Sequence, residues 1–435
     1  MRSLACSKTQ PRERNVLNSV WMKSAVVAAI GLGMGATHLM SDAPAAPAAG
    51  DWPRFLGPQG NNVSQEKIAD QWPAEGPQKL WSAKVGKSYS SVVAKDDKVY
   101  FFSQDGGNEV LTCFDANTGA AVWTQTYKGG YPNNDYPGVR TTPTIDGDKI
   151  YTYGGAGMLV CRDLKTGKDV WNLDIIKATG GKMLEWGQAS SPCIAGDLVI
   201  VQAGDGGAIA AAVNKTTGKG IWESEAKGKS GYAQVISIDV GGKPQLIVLG
   251  GKSLYSMDPT NGKTIWEKPW KADQDTNAAT PVYDGQGNLF VSSGKDGAGM
   301  FKLSPDSATE VWGRERKLQT KFQPSILDGK ALYLVADEKR GLIKALEWPT
   351  EKVLWDQNDP QMGFGGSIVR VGDKLIAQAQ KGEVALLKAT PEKCEKISSF
   401  TPYEDMNGRI WSMPVVYKGK LYVKGPEELF CYDVK

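Results

Sequence analysis

An Asp, a Gly four residues later and a Trp four residues after that recur along this chain. The phrase appears as Asp115, Gly119 and Trp123, as Asp163, Gly167 and Trp171, and as Asp258, Gly262 and Trp266, with Asn214, Gly218 and Trp222 as a variant. Trp81, Trp312, Trp355 and Phe400 mark degenerate copies, so that successive aromatic marks stand 42 to 51 residues apart. Self-similarity with a period in the forties means one supersecondary unit used again and again. The chain is a repeat protein.

A second phrase precedes the first. Residues 143–151, 192–200 and 414–422 each hold a short apolar run, a Gly-containing turn and an alternating β-branched and aromatic run. That pattern predicts a β-hairpin. The Asp-x-x-Thr-Gly segment then makes another tight turn, because the Asp side chain accepts backbone N–H bonds and Gly takes positive φ without a Cβ clash. Each unit reads as three or four antiparallel strands with a Trp on the last, and helical periodicity is absent. Such units suit a β-propeller, whose closure leaves only short, protected edges.

Hairpin starts fall near Ser91, Thr142, Ser191, Tyr232, Thr280, Gln323, Gly366 and Ser412, which makes eight, and there are eight outer-strand marks. The first mark, Trp81, has no hairpin before it, and the last hairpin has no outer strand after it. The expected fold is therefore all-β. It is an eight-bladed β-propeller of four-stranded antiparallel blades over residues 78–435, closed by pairing the N-terminal strand with the C-terminal blade. Residues 46–77 form an N-terminal extension. The repeat residues Trp81, Trp123, Trp171, Trp222, Trp266, Trp312 and Trp355 are expected to pack between blades, since a large ring buries much apolar area at a sheet-to-sheet contact.

Residues 1–45 differ from the rest. An apolar, Ala/Gly-rich run over 24–40 follows Arg12, Arg14 and Lys23, and Ala43-Pro-Ala45 offers small residues to a signal peptidase. Met22 is an alternative start. The run is short and Gly-rich for a membrane span, so the chain reads as exported, periplasmic or extracellular, with no integral span after cleavage. Lys and Arg number 51 against 48 Asp and Glu, and the excess lies in this segment. The remainder is near neutral with its charges spread, which argues against nucleic acid as a partner.

Several kinds of chemistry are missing. The one histidine, His38, lies in the expected signal peptide. Triads, His general bases and His metal ligands go with it. Five cysteines follow residue 45, with no CxxC among them; Cys113, Cys161 and Cys431 share one slot of the repeat, which suits a small buried side chain. The odd count leaves room for one disulfide that the spacing does not name. Residues 273–284 have acidic residues at calcium-loop spacing, but Ala278 stands where the loop needs Gly. The glycines at 204–207 and 294–297 fall between β runs with no helix following, so they read as hairpin turns rather than phosphate loops.

The Asp-x-x-Thr-Gly-x-x-x-Trp segments resemble the PQQ-type propeller repeat. The whole of residues 51–435 resembles a branch of secreted PQQ-binding-like propellers. Asp51-Trp-Pro-Arg-Phe-Leu-Gly-Pro58 and Asn62-Val-Ser64 are similar to that branch's N-terminal signature, although Leu56 stands where Arg is usual. Trp186-Gly187 with Ser191-Pro192, and residues 382–391, are similar to it too. The resemblance points to two functional types. In quinoprotein alcohol dehydrogenases PQQ and calcium sit on the propeller axis, usually with a ring of adjacent cysteines; this chain has no adjacent cysteines. The barrel-assembly lipoprotein propeller of the outer membrane is a non-enzymatic scaffold for other proteins. Membrane tethering does not carry over, because Cys6 precedes the apolar run.

Propeller ligands collect at a mouth of the central channel, beside the start of each innermost strand. By position the candidates are Tyr89, Arg140, Trp186, Tyr232, Asn277, Lys321, Phe364 and Trp411, and the connector 131–136 is long enough to fold over them. Aromatics with an Arg and a Lys suit a planar anionic ligand or a peptide segment. No residue is assigned to catalysis or to a metal. The expected function is an exported, monomeric binding or scaffolding module for a protein or other macromolecule, with no cofactor. The alternative is a small oxidoreductase using PQQ and calcium, marked by an Asp or Glu beside Arg140 or Lys321. A carbohydrate-active propeller with an Asp/Glu pair is a third reading. Amino-terminal sequencing of the exported protein is expected to begin at Ala46; a terminus upstream of residue 24 would mean an uncleaved anchor.

Overall fold

The computed structural model describes residues 50–132, 136–338, 341–363, 365–403 and 409–435. The expected signal peptide with His38, and Phe364, lie outside them. Eight blades of four antiparallel strands follow one another around a ring, and the sheet of blade 7 carries a fifth, parallel strand on its axial edge. Blade 1 runs from its innermost strand Val93–Lys95 through Lys98–Asp105 and Asn108–Asp115 to the outermost Ala121–Lys128. The innermost strands of blades 2 to 8 are Thr144–Asp146, Cys193–Ala195, Ile236–Val240, Val282–Tyr283, Ile326–Asp328, Ser367–Val371 and Val415–Tyr417. Blade 8 takes its fourth strand, Lys79–Lys84, from the other end of the chain; Trp81 lies opposite Cys431 in that antiparallel pair. The ring closes as its sequence implied.

One cross-strand row explains the recurrent cysteine. Tyr100, Cys113 and Trp123 stand opposite one another on successive strands of blade 1, as do Tyr151, Cys161 and Trp171 in blade 2 and Tyr422, Cys431 and Trp81 in blade 8. The rings meet over the middle residue, with Tyr–Trp centroids 5.8 to 6.0 Å apart. A small side chain fits between them without displacing either ring. The same slot holds Ala212, Ser256 and Ala345 in blades 3, 4 and 6, but Met300 in blade 5, between Phe290 and Trp312 with centroids 6.2 Å apart, and Leu386 in blade 7; all five described cysteines are free.

The Trp of one blade then meets the turn of the next. A Cβ on Gly119 would lie 2.6 Å from the ring of Trp81, and one on Gly218 equally close to Trp171; Gly167 and Gly262 stand in the same relation to Trp123 and Trp222. Gly119 and Gly218 have φ of 72° and 70°, so both the backbone and the neighbouring ring demand glycine. The indole N–H completes the joint. Nε1 of Trp81, Trp171, Trp222, Trp312 and Trp355 donates to a turn carbonyl of the following blade, at Ala116, Lys215, Pro259, Pro349 and Thr390, over 2.8 to 3.1 Å. The turns are held from within: Asp115 Oδ1 accepts from the backbone of Asn117 and Thr118 and from the Thr118 hydroxyl.

Blade 7 departs from the rule. The position opposite Leu386, where the other blades carry Trp, is Ser398. The aromatic mark at Phe400 lies two residues further along the same face. Phe400 still presses on a glycine of the next joint, Gly76, and it packs edge-on against Trp72 with centroids 5.6 Å apart. The backbone N–H of Trp72 donates to Ser398 Oγ. An indole from the N-terminal segment thus fills the gap that the repeat leaves.

That segment also crosses the channel. Trp52 and Ala94 exchange two backbone bonds on the axial edge of blade 1, and Ile145 of blade 2 donates to Pro53. Val63 and Ser64 pair in parallel with Arg370 and Val371 on the axial edge of blade 7. Residues 52–64 therefore span the channel between innermost strands, with Trp52, Leu56 and Asn62 buried.

Trp171→Ala should destabilise the protein by about 3–5 kcal/mol, the usual result of deleting a buried aromatic. Gly218→Ala, on the other half of the same joint, should cost about 1–3 kcal/mol through its positive φ alone. Denaturant midpoints check both, and an unchanged midpoint for either would mean that the joint does not hold the ring. Acid should act on the turns. Lys98, 2.9 Å away, is the main group pulling the Asp115 carboxyl down to about 2, and the Thr166 hydroxyl lowers Asp163. A carboxyl whose pKa is lowered by folding stabilises the protein above its unfolded value, and this is lost as pH falls through the folded value. The melting temperature should therefore hold down to about pH 4 and fall between about pH 4 and 2, less steeply in Asp115→Asn.

Candidate binding site at the channel mouth

Every innermost strand begins at the same end of the ring, so the residues just ahead of each start gather there. Tyr89, Arg140, Trp186, Tyr232, Lys321 and Trp411 line one cavity of about 300 Å³. Asn277 is not among them. It is fully buried, its amide donates to the carbonyls of Gly250, Gly251 and Trp270, and Ser293 Oγ donates to its Oδ1. Its side chain ties the entry of blade 5 to blade 4.

Other lining residues were not singled out by their spacing. Phe322 and Arg409 lie one and two positions from residues that were. Asp273 belongs to the connector entering blade 5, and Lys295 to the turn between that blade's second and third strands. That turn reaches the same mouth, because antiparallel strands bring every second connection back to it. Phe55 comes from the segment that crosses the channel. The cavity is thus a cup with the chain's own N-terminal segment beneath it.

Trp411 is the centre of the aromatic wall. Tyr89 stacks on it at 4.8 Å, Tyr136 at 5.8 Å, and Phe322 lies tilted at 4.9 Å. Tyr136 also meets Trp186 edge-on at 5.5 Å. The long connector does reach the mouth: Tyr136 touches rings from blades 3 and 8.

Among the described lining residues four are cationic, Arg140, Lys295, Lys321 and Arg409, and Asp273 alone is a carboxylate. The Arg140 guanidinium lies over Tyr131 at 4.6 Å and Tyr89 at 5.4 Å, and donates to the carbonyls of Gly138 and Tyr136. Burial pulls its pKa down, and the groups opposing that are phenols rather than carboxylates. Arg409 covers Tyr136 at 4.8 Å and Lys321 covers Phe322 at 5.4 Å. Asp273 is bound to Lys295 at 2.7 Å, which holds its carboxyl below the usual range. Behind the cup, burial raises the Asp337 carboxyl against the pull of Lys321 and Lys295.

Arg140 rests on a buried support. Glu109 Oε1 accepts from the backbone N–H of Gly155 at 2.7 Å, and burial pushes its carboxyl up to about 7 against Tyr127, Gly155 and Arg162. Gly155 packs on Tyr131, and Tyr131 carries the Arg140 guanidinium.

A quinone held by calcium would need a cluster of oxygen donors here. Among the described residues no three His, Cys, Asp or Glu come together as a metal set. Asp273 already has a lysine on it, and Asn277 is spent on the fold. Among the described residues, these donors do not fit a calcium site. Among the described residues no helix is long and apolar enough to cross a membrane.

Comparison with known proteins agrees with the architecture. The chain is 21% identical over 333 residues to an outer membrane protein assembly factor BamB of Burkholderia pseudomallei, covering 75% of this chain and 79% of the relative. It is 19% identical to a BamB of Shewanella oneidensis, with 75% and 93% covered. The crystal structure of BamB from Moraxella catarrhalis superposes with a TM-score of 0.59 at 16% identity, covering 82% of this chain and 98% of that one. A quinohemoprotein alcohol dehydrogenase from Pseudomonas putida HK5 gives 0.63 at 13% identity, covering 89% and 80%; at these identities the likeness is one of fold. The family model described as outer membrane protein assembly factor BamB matches residues 106–357, more than half of the 435 residues, and the chain belongs to that family of PQQ-type propeller-repeat proteins.

Proposed function

We propose that this protein is an exported, non-catalytic propeller that acts as a monomer and binds a protein partner at the mouth of its channel. The observation that carries the reading is the make-up of the cup. Its side chains form a ring of aromatics and cations with Phe55 of the N-terminal segment among them, and the one carboxylate among the described lining residues is held ionised by a lysine. Rigid aromatics with Arg are what protein interfaces use as anchors. A general base would need a proton-accepting group poised near the working pH; Asp273 is held the other way, and Asp337, whose carboxyl burial raises beside Lys321, is not among the residues lining the cup. Membership of a family whose described members are assembly factors supports the same reading. The dehydrogenase alternative draws only on shared fold.

A photo-crosslinking side chain placed at Gln274, on the rim of the cup, should capture a protein in the exported compartment. The same group at Val122, on an outer strand, should capture little, and Trp411→Ala should abolish the Gln274 adduct. Titration with PQQ, with and without calcium, should show no saturable signal at micromolar ligand. Saturable calcium-dependent binding without any protein adduct would overturn the scaffold reading.

A further inference from the structure

We infer that the cup recognises an acidic residue set beside an aromatic or other apolar one in an extended segment of the partner protein. The inference rests on the protein-binding reading above and names what that site selects. Its basis is a charge imbalance in a confined space. Lys295 is matched by Asp273. Arg140 and Arg409 have no carboxylate partner among the described residues; both are placed against rings instead. A half-buried guanidinium over two tyrosine faces gains part of its lost hydration from the rings. The remainder is recovered by an anion.

Two of the Arg140 nitrogens donate to backbone carbonyls of Gly138 and Tyr136. Those bonds fix the plane of the guanidinium and leave further N–H groups for a carboxylate, since the group carries five. The aromatic wall lies directly beside it. Tyr89 sits under Arg140 and stacks on Trp411, and Trp411 in turn lies under Arg409. An occupant that pairs with Arg140 therefore has its neighbouring atoms against this cluster of rings. A carboxylate and an apolar group must be adjacent in the ligand, as they are in the wall.

The volume sets the scale. About 300 Å³ is at the small end for ligand pockets, enough for one or two side chains. A peptide is favoured over a uronate-bearing glycan by the tight ring-on-ring wall. Trp411 is covered by Tyr89, Tyr136 and Phe322, so the central ring of the wall has no bare face for a pyranose ring.

The test uses the whole mature protein and follows tryptophan fluorescence. The probes are three blocked peptides, Ac-Gly-Phe-Asp-Phe-Gly-amide, its Asn counterpart and an Ala-Asp-Ala counterpart, together with an oligogalacturonate. The Phe-Asp-Phe peptide should bind about ten-fold or more tighter than the Asn peptide, the size of one charge-assisted hydrogen bond. It should weaken as salt rises and should beat the Ala-Asp-Ala peptide. Arg140→Gln should remove the preference for Asp over Asn. Arg409→Gln, at an exposed position, should reduce it without altering the melting temperature, which keeps the test valid if Arg140→Gln fails to fold. Equal binding of the Asp and Asn peptides overturns the inference, as does saturable oligogalacturonate binding without peptide binding. If the peptides do not discriminate but a protein adduct still forms at Gln274, this inference fails while the protein-binding reading stands. If no adduct forms, that reading fails first.

Discussion

The contact between an indole and the glycine of the next blade's turn is the interaction on which the rest of this molecule depends. A single blade cannot bury both of its faces, and the ring works only if each sheet meets its neighbour at a repeatable distance. The Trp supplies area and an N–H, the turn supplies a carbonyl, and the glycine removes the Cβ that would hold the two apart. Aromatic burial at such a joint is worth several kcal/mol. Repetition around the ring then makes the geometry of the mouth a consequence of the joints, because every innermost strand starts where its blade is held.

The N-terminal segment serves closure twice. It donates the outer strand of blade 8, and on the way there it places Trp72 on Ser398 where the repeat lacks its own indole. Upstream of that it spans the channel and puts Phe55 under the cup. The same stretch of chain that locks the ring thereby also contributes to the wall of the pocket at its mouth.

The ring was legible because its signals are local. Asp, Gly and Trp occur at fixed offsets within one turn and strand, and the missing partner strands at the two ends point to closure by arithmetic on the marks. The Phe400 mark misled in register because blade 7's indole comes from residue 72, far away in sequence, and no local pattern can report such a substitution. The mouth was half legible for the same reason. Position relative to a strand start brought out Tyr89, Arg140, Trp186 and Trp411, which do converge. Asn277 occupies an equivalent position yet turns inward, because the carbonyls of Gly250, Gly251 and Trp270 need a donor. Lys295 came from a different connection altogether.

What the spacing of residues could not reveal is how the charges of the cup are divided. Lys295 and Asp273 neutralise each other, so the positive character belongs mainly to groups that lie on rings. Arg140 is the most constrained of these, since the tyrosine beneath it is carried by a glycine whose N–H is taken by buried Glu109. A carboxylate buried between blades 1 and 2, beside Tyr127 and Arg162, is costly. Here it fixes the strand-to-strand turn at Gly155, and through Tyr131 that turn sets where a cation faces the cup. The energetic cost lies in the wall between two blades, and its structural product is a guanidinium held in one plane at the mouth.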